Sequence, residues 1–174
     1  MKLAVLWLLA GCISAGGAVT VNGAPDGSEV RSGGGVLRIG TMAELAEDRV
    51  IGQLLYSQEL GPLGGRATKI GLWGARLTTM NHGRRPGLFA LAGYGDAGDG
   101  TLMEASSLVL GAGIAYSRLV PAGPARTWTS VSLGLVYHRQ RQLDVAAGSH
   151  GDFLGVELGF MVGFDTLGAM FARD

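Results

Sequence analysis

From Val36 onward, apolar residues alternate with small or polar ones at a period of two. The alternation is sharpest in "SLVLGAGIAYS", "WTSVSLGLVYH" and "LGVELGFMVGF". In the first, Leu108, Leu110, Ala112, Ile114 and Tyr116 share one face, opposite Val109, Gly111, Gly113, Ala115 and Ser117. In the second, Val131, Leu133, Leu135 and Tyr137 oppose Ser130, Ser132, Gly134, Val136 and His138. In the third, Leu154, Val156, Leu158, Phe160, Val162 and Phe164 oppose Gly155, Glu157, Gly159, Met161 and Gly163. Successive side chains of a strand point to opposite faces, so this pattern predicts strands. A helix would carry glycine on every side and show no continuous apolar stripe.

Fainter alternation predicts further strands over residues 36–43, 49–57, 68–79 and 87–94. Residues 42–60 hold enough Ala, Glu, Leu and Gln for a helix, but its face through Leu45 would run into Asp48 and Arg49. Strands are the better reading there. Turn residues and charges collect between the segments, in "NHGRRPG", "GYGDAGDG", "VPAGPAR" and "HRQRQLDVAAGSHGD". The expected fold class is all-β, an antiparallel meander of about seven or eight strands that closes into a small barrel.

The two faces differ in kind. One is built of large apolar residues that end in aromatics at Tyr116, Tyr137 and Phe164. The other is Gly, Ala and Ser with an occasional charge. A water-soluble carrier barrel would show the reverse, with polar residues outside. Small residues suit a crowded interior, and a large apolar face suits lipid. On that assignment Arg38, Glu44, Arg76 and Glu157 face the lumen, where they are expected to pair. The alternative is that they are ordinary charges on the solvated face of a half-buried sheet.

Composition agrees with this assignment. Only 16% of residues are charged, against about 25% in typical soluble domains. Glycine accounts for 31 of 174 residues, well above the usual share of about 7%. Basic and acidic residues balance at 14 each, so no nucleic-acid footprint is present. The length suits one domain with a real core.

The start of the chain, "MKLAVLWLLAGCISAGGAVTVNG", has the layout of a secretory signal peptide: Lys2, an apolar run from Leu3 to Ile13, then small residues. The run is too short for a spanning helix, which needs about 20 apolar residues. Leu9-Ala10-Gly11-Cys12 resembles the lipobox of bacterial lipoproteins. That resemblance implies cleavage before Cys12, which is then diacylated and anchors the chain to membrane lipid. The competing site is Gly16-Gly17-Ala18, with cleavage after residue 18. The expected organisation is a signal peptide at 1–11 (to 18 by the second route), a flexible tether at 12–35 rich in Gly, Ala, Ser, Asp and Pro, in which "AVTVNG" could also add a short strand, and a β domain at 36–174. Cys12 is the single cysteine, so no disulfide is expected in an exported chain.

From Val36 to its end the chain resembles small bacterial outer-membrane β-barrels, in alternation, strand length and glycine content. The resemblance implies a cell-envelope protein at the outer membrane, with a structural or accessory role. Some such barrels are lipid A-modifying enzymes, which makes His138 or His150 with Ser149 the candidate catalytic pair. The chain departs from the pattern by ending "MFARD" and not on an aromatic. A soluble periplasmic β-sandwich that binds an envelope partner by its apolar face is a third reading.

Other motifs are weaker. Gly93-Tyr94-Gly95-Asp96-Ala97-Gly98 matches the dinucleotide fingerprint, but no helix follows, as that site requires. Asp96, Asp99 and Glu104 lack the spacing of a calcium loop. His82, His138 and His150 lack metal-ligand spacing. Arg84, Arg85, Arg139 and Arg141 are loop charges within reach of anionic headgroups. No cofactor and no metal is expected.

Overall fold

The computed structural model describes residues 13–23, 34–46, 49–63, 66–81, 85–98, 105–122, 125–142 and 151–165. These form eight strands: β1 Ile13–Gly23, β2 Gly34–Ala46, β3 Val50–Leu63, β4 Arg66–Thr79, β5 Gly87–Gly98, β6 Ala105–Ala122, β7 Ala125–Gln142 and β8 Gly151–Asp165. Each pairs antiparallel with the next, and β1 pairs with β8, so the sheet closes into a barrel. Closure leaves no free strand edge. No helix occurs among the described residues.

The register sets the shape. Cross-strand partners lead from Asp152 on β8 through Arg139, Leu108, Tyr94, Trp73, Tyr56, Ile39 and Ala15, and return to β8 at Val162. The circuit closes with a stagger of ten residues, from 152 to 162. With about 3.4 Å per residue and about 4.8 Å between strands, that stagger tilts the strands about 41° from the barrel axis. Each residue then climbs about 2.6 Å along the axis. Eight strands at this tilt enclose a lumen that side chains can fill.

β1 and β8 place Ile13 and Asp165 at one rim, the terminal rim. The connections β2–β3, β4–β5 and β6–β7 lie at that same rim. At the β2–β3 connection the register slips between Glu44 and Ala46, and Arg49 N–H donates to the Ala46 carbonyl at 2.9 Å. β5 begins opposite Ala115 of β6, so β6 runs past it toward the terminal rim. The Ser117 N–H, which has no β5 partner there, is taken up by the Asn81 side-chain oxygen at 3.0 Å. This agrees with the rule that backbone donors find partners.

The four fainter segments and the three sharp ones all lie within strands except for Arg49, a turn residue just before β3, and the described residues of 42–60 belong to β2, that turn and β3, not to a helix. Strands β6 and β7, of 18 residues each, run beyond the apolar segments that predicted them. One expectation is corrected. The flexible tether expected over 12–35 contains β1, an 11-residue strand. Its alternation was hidden by glycine and alanine: Ile13, Val19 and Val21 face outward, while Ser14, Ala18 and Thr20 are buried. Cys12 and residues 24–33 lie outside the described residues.

Candidate functional site: lumen and outer face

The outward positions of every strand carry exposed large apolar side chains. They include Val19 and Val21 on β1, Leu37 and Ile39 on β2, Leu54 on β3, Trp73 and Leu77 on β4, and Leu88 and Tyr94 on β5. β6 adds Leu110 and Ile114, β7 adds Leu133 and Leu135, and β8 adds Leu158 and Phe160. Trp73 is 72% exposed, which in water would cost a large apolar burial term. On β8 the apolar outward run extends from Leu154 to Phe164, about 26 Å along the axis at the climb above. That matches the apolar band of about 25 Å in outer-membrane barrels.

Polar groups bracket this belt. At the rim away from the termini, Tyr137 O–H donates to Asp152 Oδ1 at 2.7 Å, and Arg139 Nε lies 3.9 Å from the same oxygen. Toward the terminal rim, Arg118 donates to the Tyr116 hydroxyl and also stacks on its ring, 5.1 Å from the centroid. Tyr116 and Tyr137 therefore each point an apolar ring at the belt and a hydroxyl at a charged neighbour, the arrangement of interfacial aromatics. Within the belt, Tyr56 and Trp73 are cross-strand neighbours with ring centroids 5.0 Å apart. Over β1 and β2 the outward residues Gly17 and Gly35 have no side chains. They leave a shallow apolar groove bounded by Leu37, Leu158 and Phe160.

The inward face is packed. Toward the terminal rim Met42, Ile51, Leu55, Met80, Trp128 and Met161 form one cluster. Leu72, Phe89, Leu91, Val109, Ala115 and Val136 form a second on the β4–β7 side. Gly113 and Gly134 are direct cross-strand partners, and the hollow over them holds the Phe89 ring. A Cβ on Gly134 would sit 2.5 Å from Phe89 Cζ. Arg76 covers the ring, its guanidinium carbon 4.6 Å from the centroid.

Three of the four expected lumen charges are inward and buried: Arg38, Arg76 and Glu157, each 1% exposed. Arg38 and Glu157 meet across β1 in a bidentate pair, Nη1 to Oε1 and Nη2 to Oε2, both 2.6 Å. Arg76 is not part of that pair. Its Nε donates to Thr78 Oγ1 at 3.3 Å, and the rest of its group lies against Phe89. The fourth expectation is corrected. Glu44 has the inward parity but sits where β2 reaches the terminal rim, exposed, 3.8 Å from Arg126. The register slip beside it marks the end of regular barrel wall.

Of the candidate catalytic residues, His138 is inward and buried, while Ser149 and His150 lie outside the described residues. Gly93 to Gly98 is strand β5, so the dinucleotide motif is part of the barrel wall. His82, Arg84, Asp99 and Glu104 also lie outside the described residues. Among the described residues no group of three metal-ligating side chains occurs. Phe89, Gln53 and Trp128 were not singled out from the sequence. Gln53 alternates in step with the inward Leu55 and Ser57, a signal that was available. The Arg76–Phe89 stack depends on the β4–β5 register and had none.

No family model matches the chain, and no curated protein matches it. Among solved structures, one described as "De novo design of transmembrane beta-barrels" is 12% identical, with a TM-score of 0.39, over 88% of this chain and 95% of that one. A likeness at that score carries no argument. The barrel rests on the strand pairing above.

Proposed function

We propose that the chain is an integral outer-membrane β-barrel of the bacterial cell envelope, with a structural or accessory role, anchored in addition by lipid on Cys12. The observation that carries this reading is the apolar belt, continuous over all eight strands and bracketed by charged rims. A membrane supplies the one solvent in which such a face is stable. A closed barrel satisfies every strand hydrogen bond inside hydrocarbon.

A structural role is favoured over transport because large side chains fill the lumen. Trp128, Arg38, Arg76, Ile51, Leu55 and Met161 are all buried there. A lipid-modifying activity is not favoured by His138, which points into that packed interior and away from lipid. The sandwich alternative does not fit a sheet in which β1 pairs with β8.

Cleavage before Cys12 is supported by β1. Residues Ile13 to Ala18 pair with β2 from Thr41 to Val36 and with β8 from Phe164 to Gly159. Cleavage after residue 18 would remove them and leave backbone groups of both neighbours unpaired. Each such group costs several kcal/mol in hydrocarbon. An anchor on Cys12 adjoins Ile13, at the rim that also carries the end of β8. The two or more acyl chains of such an anchor hold stably.

Heat-modifiable mobility of protein from purified outer membranes tests the proposal. A closed membrane barrel stays folded in cold detergent and shifts position on the gel after boiling. A protein that fractionates as soluble, or that shows one unshifted band, would remove the basis for membrane insertion.

A further inference from the structure

We propose that the lumen is a binding site for a small inorganic anion, of the chloride class, held by Arg76, Gln53 and Arg38. The argument starts from charge. Among the described residues, the buried inward side chains that carry charge are Arg38, Arg76 and Glu157. Glu157 is committed to Arg38 by two short bonds. His138, also inward and buried, supplies no negative charge in either protonation state. Among these described residues, one positive charge is in excess. A guanidinium keeps its charge in proteins, so Arg76 does not escape by losing a proton. An uncompensated ion in low dielectric costs several kcal/mol.

The geometry names the place. Gln53 on β3 and Arg76 on β4 are direct cross-strand partners, both inward and both 1% exposed. Arg38 lies on β2, two inward positions from Met42, the partner of Gln53 on that strand. Arg76 Nη1 and Nη2, Gln53 Nε2 and Oε1, and Arg38 Nε are all buried without hydrogen-bond partners. Four of these five atoms are donors, and they come from three adjacent strands. Buried donors in native interiors are satisfied almost without exception. Water satisfies the donors but leaves the charge. A small monovalent anion satisfies both. Its stacking against Phe89 and its bond to Thr78 hold the Arg76 guanidinium in place, with its two Nη groups free for the ligand.

The test refolds the full chain from urea into detergent in sodium chloride, and separately in sodium gluconate at the same ionic strength. Refolding in each salt lets the anion enter before the barrel closes, and gluconate is too large for the site. Thermal unfolding should be about 5–10 °C higher in chloride when chloride stands near a hundred times its Kd. The difference should vanish in Arg76→Met and persist in Arg139→Gln, which removes an exposed rim charge. No salt difference in the wild type would overturn the proposal, and so would a difference of equal size in Arg76→Met. If Arg76→Met does not refold, crystals of wild type refolded in bromide decide. An anomalous peak in contact with the Arg76 Nη atoms supports the site, and its absence, with water alone there, overturns it.

Discussion

Replacing Glu157 with Gln keeps the size of the side chain and deletes the one buried carboxylate among the described lumen residues. In the native barrel that carboxylate accepts two bonds from Arg38 at 2.6 Å. Breaking a buried pair by removing one partner costs about 3–5 kcal/mol, because the other charge is stranded. The two partners are not equivalent here. Arg76 lies in the field of both Arg38 and Glu157. Glu157→Gln leaves two guanidinium groups in one lumen without the carboxylate that offsets them. Arg38→Met leaves Glu157 with Arg76 as a counter-charge. The expected costs are therefore about 4–5 kcal/mol for Glu157→Gln and about 2–3 kcal/mol for Arg38→Met. At about 3 °C per kcal/mol for a chain of this length, the melting temperature falls by about 12–15 °C and about 6–9 °C respectively. The double variant Arg38→Met/Glu157→Leu returns the lumen to its native net charge and replaces an ion pair by apolar groups. It should melt above Glu157→Gln, a non-additivity that a double-mutant cycle measures directly. The assay is thermal unfolding of detergent-refolded protein by circular dichroism, all variants in one buffer. A Glu157→Gln barrel within about 2 °C of wild type, or a larger loss in Arg38→Met than in Glu157→Gln, would refute the reasoning.

Three further outcomes are expected. Gly134→Leu forces a Cβ to 2.5 Å from Phe89 Cζ and 2.6 Å from the Ala112 carbonyl, an overpacking of about 1–3 kcal/mol. Gly35→Leu points outward, where a Cβ meets nothing within 4 Å, and should melt with the wild type; equal losses in the two would contradict the inside–outside assignment. Leu133→Arg, near the middle of the belt, should cost about 2–4 kcal/mol at the midplane and lower the inserted fraction in membrane fractionation, whereas unchanged insertion would count against lipid contact there. Cys12→Ser should lower the intact mass of membrane-extracted protein by the acyl groups and shift cleavage; an unchanged mass, or a wild-type chain beginning at Val19, would end the lipoprotein reading.

The fold class and the sense of the barrel wall were legible because a strand's period of two separates faces without knowledge of partners. Leu110, Leu133 and Leu158 were placed outside, and Gly111, Gly134 and Gly159 inside, from alternation alone, and the structure agrees. β1 was legible only in part, as the short strand that "AVTVNG" could add, for the same physical reason in reverse. Its outward positions include Ala15 and Gly17 and its inward ones Gly16 and Ala18, so large and small do not separate along "ISAGGAVTVNG". Only its neighbours, Leu37 and Phe160, show which way it faces. Glu44 shows a further limit, since parity assigns a face but not a depth. Six residues beyond Arg38, at the slip in register, the same parity leads out of the lumen to the rim.

Depth is where the lumen chemistry was hidden. Two inward residues on different strands meet only if their heights agree, and height depends on the register accumulated over every strand between them. Arg38 and Glu157 are 119 positions apart and have β1 between them. Their contact follows from two registers, Ala18 opposite Val36 and Ala18 opposite Gly159. These set Arg38 and Glu157 on either side of the Ala18 level, within reach over small side chains. Had β1 been a tether, as its composition suggested, β2 and β8 would have faced each other directly and the ten-residue stagger would not have closed. The strand least visible in the sequence is thus the one that brings Glu157 to Arg38. It does so by being small: Gly16, Ala18 and Gly159 leave the width that two long side chains need, while the apolar half of the lumen is filled by Phe89 over Gly113 and Gly134. Glycine content, which first pointed away from helices, therefore has a second cause in the way large and small residues must alternate around a narrow barrel.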